Sequence, residues 1–181
     1  MYKMLKQDIR FNLIRSVDNI FEYPIALFIA ASGKEVKSKK YKYLEEIYNK
    51  SKVTNRLKFY DYLQRDDADV EDIAKYTAGV LYDLETAGIN VFDLKAKVKE
   101  MEPDMNFTLS TAHAYKGLEA DNVLIHKDLY ESANKALVNG LKESVYPDIF
   151  RDSLEPKDKE NLNLLYVAKT RARYQMLEAV S

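Results

Sequence analysis

Apolar residues recur at helical spacing through residues 16–102, and no other feature of the sequence constrains the fold as strongly. The chain has 5 Gly and 4 Pro among 181 residues, so few positions interrupt a helix. After Pro103 the pattern changes, because residues 107–111 and 123–126 are short strand-like runs separated by a Lys-Gly turn. The sequence therefore predicts an α/β fold in which a mostly helical segment precedes one that mixes strands and helices.

Pro24 lies inside the first helical stretch, where it removes a backbone donor and its ring clashes with the preceding turn. We therefore expect two helical segments here, residues 16–23 and 24–32, the second closed by Gly33 in a left-handed conformation. The other predicted elements are, in chain order, a strand at 10–14, helices at 41–49, 55–64 and 70–88, a helix capped by Asn90 and Asp93, a helix at 132–142, a loop at 146–156, a helix at 157–173 and a strand at 175–180.

The absence of cysteine and the presence of only two histidines, His113 and His126, exclude several classes of protein. Disulfide scaffolds, thiolate zinc sites and cysteine nucleophiles are ruled out, and any metal would need oxygen ligands, so we expect no metal site in this chain. The longest apolar stretch, residues 25–31, is far shorter than the roughly 20 residues that span a bilayer. We expect an intracellular protein without membrane contacts, cytoplasmic if it is bacterial or viral.

The net charge of −1 hides an uneven distribution of charged residues. Residues 1–60 carry 13 Lys and Arg against 6 Asp and Glu, whereas the remaining residues carry 15 against 23. Such an asymmetry favours a first part that binds a polyanion. A basic face that is simply solvated would give the same counts, so both interpretations stay open at this point.

Chemically active side chains are concentrated in residues 108–119, Thr-Leu-Ser-Thr-Ala-His-Ala-Tyr-Lys-Gly-Leu-Glu. An apolar strand ends there in hydroxyl groups and an imidazole, and a Gly turn then brings in a carboxylate. Strand ends in open α/β sheets are where ligands bind. The side chains expected at one such edge are Ser110, Thr111, His113, Lys116 and Glu119. The alternative is that these are ordinary solvated loop residues.

Arg171 has an unusual position in the predicted helix of residues 157–173. On a helical wheel that starts at Leu164, at about 100° per residue, Arg171 lies at about 340°, inside the apolar arc. A guanidinium held among apolar side chains is costly unless an anion or a set of acceptors meets it. That partner is either an internal Asp or Glu or the phosphate of a ligand. If the helix ends before Arg171, the guanidinium is not held on the apolar face.

Two strings in the sequence resemble motifs of one protein family. The string T-x-H-x-x-K-G-L-E, at residues 111–119, resembles motif V of superfamily 1 DNA helicases of the UvrD/Rep type. The string N-L-L-Y-V-A-K-T-R-A, at residues 163–172, resembles motif VI of the same group. The string S-T-A-H, followed later by N-L-L-Y-V-A, is most similar to the F-box DNA helicase branch or its bacterial and viral relatives. The rest of the chain resembles the family only in the order and the helical or mixed α/β character of its predicted elements.

The resemblance implies a fold, a domain division and a function. The implied fold is a partial RecA-like core with three layers, the second lobe of a P-loop NTPase, with a mostly helical inserted subdomain. Residues 1–15 would begin this lobe, called 2A, and residues 16–102 would form an accessory subdomain that corresponds to 2B. Residues 103–181 would complete 2A with motifs V and VI. The implied function is that of the C-terminal part of an ATP-dependent DNA helicase that translocates 3′ to 5′.

The resemblance also implies roles for individual residues at the nucleotide. Family members clamp ATP between two RecA-like lobes, and a motif VI arginine of the second lobe reaches the γ-phosphate. Arg171 matches that catalytic arginine, and neutralising charge on a transferring phosphoryl group is worth orders of magnitude in rate. Glu119 matches the motif V carboxylate near the ribose, and Gly117 would let the backbone come close. Tyr166 and Thr170 fit the motif VI string or are packing residues.

DNA contacts are implied in two parts of the chain. Thr111 and His113 match the part of motif V that faces single-stranded DNA, and Lys116 could serve either DNA or the nucleotide. In the helical subdomain, lysines interleaved with Tyr41 and Tyr43 would hold single-stranded or duplex DNA by phosphate neutralisation and base stacking. These lysines are Lys34, Lys37, Lys39, Lys40 and Lys42. The alternative is a solubilising helix flank whose tyrosines lie in the core.

The chain also departs from the family pattern. It has no G-x-x-x-x-G-K-[ST] loop and no Asp-Glu pair at a strand end suited to magnesium, and Ala120 stands where an aromatic residue usually follows the motif V Glu. ATP with Mg²⁺ is the expected cofactor, with the magnesium held by an N-terminal RecA-like lobe of the same helicase. That lobe is an expected partner, and without it we expect this fragment to be inactive. The alternative function is a non-catalytic helicase-like module that binds DNA or a protein.

Overall fold

A computed structural model describes residues 1–104, 106–143 and 154–178. The chain divides into two compact units, unit 1 (Met1–Thr108) and unit 2 (Leu109–Ser181). Unit 1 is mostly helical and unit 2 mixes strands with helices, so the α/β class predicted from the sequence is confirmed. None of the described helices has the length and apolar character that a bilayer crossing requires. The RecA-like assignment and the three-part domain division stay predictions.

Helices make up most of unit 1, and two short strands lie at either end of the helical stretch. The elements are α1 (Tyr2–Lys6), β1 (Asn12–Leu13), α2 (Val17–Ala31), a 3₁₀ turn (Lys39–Tyr41), α3 (Tyr43–Ser51), α4 (Arg56–Gln64), α5 (Asp72–Thr86), α6 (Val91–Glu100) and β2 (Thr108–Leu109). β1 and β2 pair with each other, and the Asn12 N–H donates to the Phe107 carbonyl at 2.7 Å. The two strands that flank the helices are therefore neighbours.

The expected break at Pro24 is wrong, because α2 runs without interruption from Val17 to Ala31. Pro24 has no N–H to donate to the carbonyl of Ile20, so α2 lacks one hydrogen bond there. Tertiary packing on both sides of Pro24 offsets this loss, since burial of apolar surface stabilises by about 25 cal/mol per Å². The buried residues of α2 are Phe21, Tyr23, Ala26, Leu27, Ala30 and Ala31.

Several helix ends lie where local sequence signals placed them. The Ser16 hydroxyl accepts the N–H of Asn19 at 3.3 Å at the start of α2, and Gly33, with φ of +66°, follows its end. Asn55 and Asn90 cap α4 and α6, because the side-chain oxygen of each accepts backbone N–H groups of the first turn. The loop predicted at 146–156 lies mostly outside the described residues. The last strand begins three residues earlier than predicted.

Aromatic side chains occupy much of the core of unit 1. Its largest fully buried side chains are Phe11, Leu27, Leu44, Phe59, Tyr60 and Leu63. The Phe59 ring meets the Tyr48 ring edge to face, with 5.1 Å between their centroids. At the margin of this core the Arg56 guanidinium lies 4.8 Å from the Phe28 ring centroid and pairs with Glu85 at 2.6 Å. These contacts join α2, α3, α4 and α5 around one core.

A carboxylate in the first turn of α2 is held by two lysines of α6. Asp18 Oδ1 lies 2.7 Å from Lys95 Nζ and 2.9 Å from Lys99 Nζ. The hydrogen bonds from Lys95 and then Lys99 lower the pKa of the Asp18 carboxyl from 3.8 to about 2. A carboxyl whose pKa is lower in the folded state stabilises the fold above its unfolded pKa. That stabilisation is lost as the pH falls through the folded pKa.

We expect the difference in stability between wild type and Asp18→Asn to be present above about pH 4 and to vanish as the pH falls towards 2. Since Asp18 is exposed, this difference should be small and should shrink in high salt. Urea midpoints of both proteins, measured between about pH 2 and 6, test the expectation. A difference that stays constant over this range would show that the ion pairs do not stabilise the fold.

A two-stranded parallel sheet with two helices forms the described part of unit 2. Its elements are β3 (Ala120–Ile125), α7 (Lys127–Glu143), α8 (Pro156–Lys169) and β4 (Ala172–Glu178). β3 and β4 pair in parallel, with α7 and α8 between them in the chain. On one face, Ile125 packs against Ala133 of α7 and Leu165 of α8. Leu124 and Leu177 are 61% and 48% exposed, so the packing of this sheet is one-sided among the described residues.

Candidate functional site

Residues 110–119 connect β2 to β3 through a series of turns. The Thr111 carbonyl accepts the N–H of Tyr115 at 3.1 Å, and the Thr111 hydroxyl accepts the N–H of Ala114 at 3.2 Å. Thr111 therefore caps the first turn with both of its oxygens. The Tyr115 hydroxyl donates to the Glu119 carbonyl at 3.2 Å. This bond ties the end of the loop to its middle.

Gly117 adopts a backbone conformation that favours glycine, with φ of +85°. No atom lies within 4 Å of the position that a Cβ would take. The residue type is thus required by the backbone and not by a close neighbour. Open space beside the Gly117 backbone is what the approach of a ligand at this turn needs.

Gly117→Ala should cost about 1 kcal/mol of stability, because a side chain at this positive φ is strained. Gly88→Ala is a matched control, since Gly88 has φ of +74° and equally open surroundings. We expect both variants to lose similar stability in thermal unfolding, because a side chain is strained alike at the two positions. A loss in only one of the two variants would contradict this expectation.

The helical position predicted for Arg171 is wrong, because α8 ends at Lys169. Thr170 is the C-terminal cap of α8. The Arg171 N–H donates to the Ala168 carbonyl at 3.2 Å, which is three residues back instead of the four of an α-helix. Ala172 then begins β4, and strand pairing replaces the helical hydrogen bonds. Arg171 is half-buried in the turn between α8 and β4. Arg171 therefore does not lie on the apolar face of a helix.

Neutral oxygens surround the Arg171 guanidinium. Its Nε donates to the Val167 carbonyl at 3.1 Å, its Nη2 to the Thr170 hydroxyl at 3.1 Å, and its Nη1 to the Leu118 carbonyl at 3.5 Å. Among the described residues, no carboxylate lies within 4.0 Å of this guanidinium. The described part of the chain therefore provides no acidic partner for Arg171, which was one of the two kinds of partner considered from the sequence. The charge of Arg171 is available to an external anion.

Arg171 and Glu119 lie at the same edge of the β3–β4 sheet. The Ala120 N–H donates to the Arg171 carbonyl at 3.0 Å, and Ala120 is in register with Ala172. The residues just before each strand are therefore neighbours, and the Arg171 guanidinium reaches Leu118, next to Glu119. Glu119 is exposed and forms no ion pair with Arg171. The structure thus places Arg171 and Glu119 at one edge of this sheet, and their roles at a nucleotide stay predictions.

Thr111, His113 and Lys116, the loop residues predicted to face single-stranded DNA, are all exposed. His113 Nε2 lies 3.4 Å from Glu160 Oε1 of α8, and both side chains are more than half exposed. This contact links the loop to the first turns of α8. The Thr111 hydroxyl accepts one hydrogen bond within the turn and can still donate its proton.

The basic cluster of unit 1, the lysines of residues 34–42, has accessible lysines but a buried tyrosine at position 41. Lys37, Lys39 and Lys40 are exposed. Tyr41 is only 8% exposed and donates its hydroxyl to the Glu22 carboxylate at 3.2 Å, so its ring cannot stack on a base. Lys40 Nζ lies 4.9 Å from the Tyr41 ring centroid, and the hydrogen bond to Tyr41 raises the pKa of Lys40. For Tyr41 the core position, the alternative considered from the sequence, is the correct one.

Three features near Arg171 were missed or left open by the sequence. Tyr166 is 70% exposed on α8, so it is not a core packing residue. Tyr174 is 82% exposed on β4 and was given no role. The Leu118 carbonyl, which accepts from Arg171, could not have been found from residue types, because every residue has the same backbone acceptor. The exposure of the tyrosines has no sequence signal either, since tyrosine is common in cores and on surfaces.

Within the described ranges, no group of three or more His, Cys, Asp or Glu side chains could hold a metal ion. Comparisons with models of protein families, with curated proteins and with solved structures gave no match. The functional assignment therefore rests on the chemistry of the site. A guanidinium bonded only to neutral oxygens suits an anion such as a phosphate, and the exposed Glu119 carboxylate in the neighbouring loop can accept a hydrogen bond.

Proposed function

We propose that this chain is the second RecA-like lobe, with an inserted helical subdomain, of an ATP-dependent DNA helicase of the superfamily 1 UvrD/Rep type. The observation behind this proposal is the Arg171 guanidinium, which donates to the Leu118 carbonyl and has no carboxylate partner in the described part of the chain. A half-buried arginine without an acid is suited to a phosphate, because its planar group offers several donors to phosphate oxygens.

Each residue of the site has one task at the nucleotide in this proposal. Arg171 neutralises negative charge on the γ-phosphate, Glu119 accepts a hydrogen bond from the ribose, and Gly117 leaves room at the turn. ATP would supply the phosphoryl group, and its magnesium would be held by another lobe, since this sequence has no phosphate-binding loop. Arg171 would meet the phosphate only when the two lobes close, which would couple ATP turnover to lobe movement.

The pairing of strands supports the proposed domain division. β1 and β2 flank the helical stretch and pair with each other, as expected if residues 16–102 are inserted between two neighbouring strands. Residues 16–102 would then be the 2B-like subdomain, and residues 1–15 and 103–181 would belong to lobe 2A. The parallel pairing of β3 and β4, with helices between them in the chain, agrees with an α/β lobe of this kind.

Single-stranded DNA is the proposed ligand of Thr111, His113 and Lys116. Hydroxyl, imidazole and ammonium groups all donate to phosphate oxygens, and these three side chains are exposed in one loop. The same loop continues directly to Glu119, so DNA and nucleotide contacts would be a few residues apart. A change at the nucleotide would therefore move the DNA contacts, and translocation requires such coupling.

Replacing Lys37, Lys39 and Lys40 together by alanine should weaken the binding of single-stranded DNA by an electrostatic effect. The slope of log K against log salt falls by about 0.7 for each lost phosphate contact, so we expect it to be smaller by about 2. Fluorescence anisotropy of a labelled oligothymidylate at several salt concentrations tests this. The control variant removes three exposed lysines elsewhere, Lys6, Lys97 and Lys135. An equal change of slope in both variants would mean that the cluster is not a specific DNA surface.

The reading frame upstream of Met1 gives the first test of the proposed function. We expect a G-x-x-x-x-G-K-[ST] loop there, whereas a stop codon directly before Met1 would favour a non-catalytic helicase-like module. In the biochemical test, the 181-residue chain alone should not hydrolyse ATP. The protein that includes the loop should hydrolyse ATP faster when single-stranded DNA is added. Hydrolysis that DNA does not affect would contradict the helicase proposal.

A further inference from the structure

An exposed row of apolar side chains lies along α5 in unit 1. Ile73, Tyr76 and Val80 are 53%, 69% and 43% exposed. They follow each other at spacings of three and four residues, so they share one side of the helix. We call these three residues the α5 stripe. The buried residues of the same helix are Ala74, Thr77, Ala78, Leu81 and Leu84.

The apolar surface of α5 is wider than the packing of unit 1 requires. The buried residues of α5 pack against α2 and α4, and the α5 stripe extends the same apolar arc into solvent. Apolar side chains at this spacing are how a helix presents itself to a second helix. Tyr76 adds a large, stiff ring of the type that is enriched at the centre of protein interfaces.

Acidic residues accompany the α5 stripe. Residues 66–86 contain seven Asp and Glu against one lysine. At about 100° per residue, Asp83 lies beside the stripe, about one turn after Val80. The lysine is Lys75, whose Nζ donates to the Arg65 carbonyl at 3.2 Å. The surface is therefore apolar along its centre and acidic at the margin where Asp83 lies.

This charge decides which partner the surface fits. Nucleic acids and anionic lipid headgroups are repelled by the acidic residues. Two copies of this chain that met through the α5 stripe would bring their acidic residues together, and juxtaposed like charges are unfavourable. We propose that the α5 stripe binds an amphipathic helix of a partner protein, with a lysine or arginine at its edge that faces Asp83. This binding is independent of the ATP and DNA contacts proposed above.

The test uses a fluorescein-labelled synthetic peptide of about 18 residues, or five helical turns, with Leu at helical spacing and Lys elsewhere. One control peptide has the same residues in scrambled order, and another has Glu in place of Lys. Fluorescence anisotropy with the 181-residue chain should show binding of the first peptide. The scrambled and acidic peptides should bind at least roughly tenfold more weakly.

Variants of the chain show whether the α5 stripe is the site of binding. The double variant Tyr76→Ser, Val80→Ser should bind the basic peptide roughly tenfold more weakly. Asp83→Asn should bind it roughly threefold more weakly, with a smaller salt dependence. Tyr174→Ser is the matched control, because Tyr174 is an exposed tyrosine of unit 2, and it should leave the affinity unchanged. Circular dichroism checks that each variant is folded, and the stripe residues are exposed enough to be replaced without unfolding.

Four results would overturn the proposal. They are failure of the basic peptide to bind, equal binding by the double variant, equal binding of the scrambled or acidic peptide, and sedimentation of the wild-type chain as a dimer that the double variant dissociates. The last result would identify a second copy of the chain as the occupant of the α5 stripe.

Discussion

Under the proposed helicase function, the Arg171→Ala variant of a protein that joins this chain to a phosphate-binding lobe is expected to lose roughly a thousandfold or more in ATP turnover. Its affinity for ATP should stay close to that of wild type, because the charge that Arg171 is proposed to neutralise grows in the transition state. Among the described residues the guanidinium bonds only to neutral oxygens, so no internal acid has to be displaced before it meets a phosphate. Steady-state kcat and an equilibrium Kd for ATP separate the two effects.

Two further variants make this result specific. Arg173→Ala is the matched control, because Arg173 is two residues further along, is exposed, and pairs with Asp121 at 2.6 Å. It should keep most of its turnover. Arg171→Lys keeps the charge but loses the planar group, so it should stay strongly impaired. Turnover near the wild-type rate in Arg171→Ala would remove Arg171 from catalysis.

The Phe59→Ala variant is expected to lose about 3 to 5 kcal/mol in the free energy of unfolding of unit 1. Phe59 is fully buried, and its ring packs edge to face on Tyr48 at 5.1 Å and stacks with Tyr62 at 6.4 Å. Removing the ring loses its transfer free energy and leaves a cavity between α3 and α4. Urea denaturation followed by the helical signal in circular dichroism measures the loss.

Matched variants separate the cavity from general effects of substitution. Phe59→Leu keeps an apolar side chain of similar size and should cost about 1.5 kcal/mol or less. Tyr76→Ala removes an equally large ring that is 69% exposed and should change stability by at most about 0.5 kcal/mol. If Phe59→Ala cost as little as Tyr76→Ala, the core of unit 1 would not be packed around this ring.

Local sequence signals were sufficient for several helix ends of unit 1. Asn90 caps α6 as predicted, and α4 begins next to Asn55, where a helix was predicted to begin, because these starts depend only on residues in the first turn. Pro24 marks the limit of such reasoning. The same local rule predicted a break there, but α2 continues because Phe21 and Leu27 are buried on either side. Tertiary packing of this kind cannot be weighed from a local pattern.

Local patterns were also insufficient to predict the candidate site. Helical periodicity continues past residue 170, but the pairing of Ala172 with Ala120, which is distant in the sequence, ends the helix before Arg171. The nearness of Arg171 to the loop of Glu119 came from the two motif strings, since periodicity contains no information about which segments meet. Tyr41 is a further case, because residue type cannot distinguish a ring that stacks on a base from one in the core.

A crystal structure of the full-length protein with a non-hydrolysable ATP analogue and magnesium would test the central claim most directly. We expect the Arg171 guanidinium at about 3 Å from an oxygen of the γ-phosphate, and the Glu119 carboxylate within hydrogen-bonding distance of the ribose. A nucleotide bound away from the start of β3 and β4 would contradict the claim. So would an Arg171 guanidinium paired with a carboxylate of the protein while the nucleotide is bound.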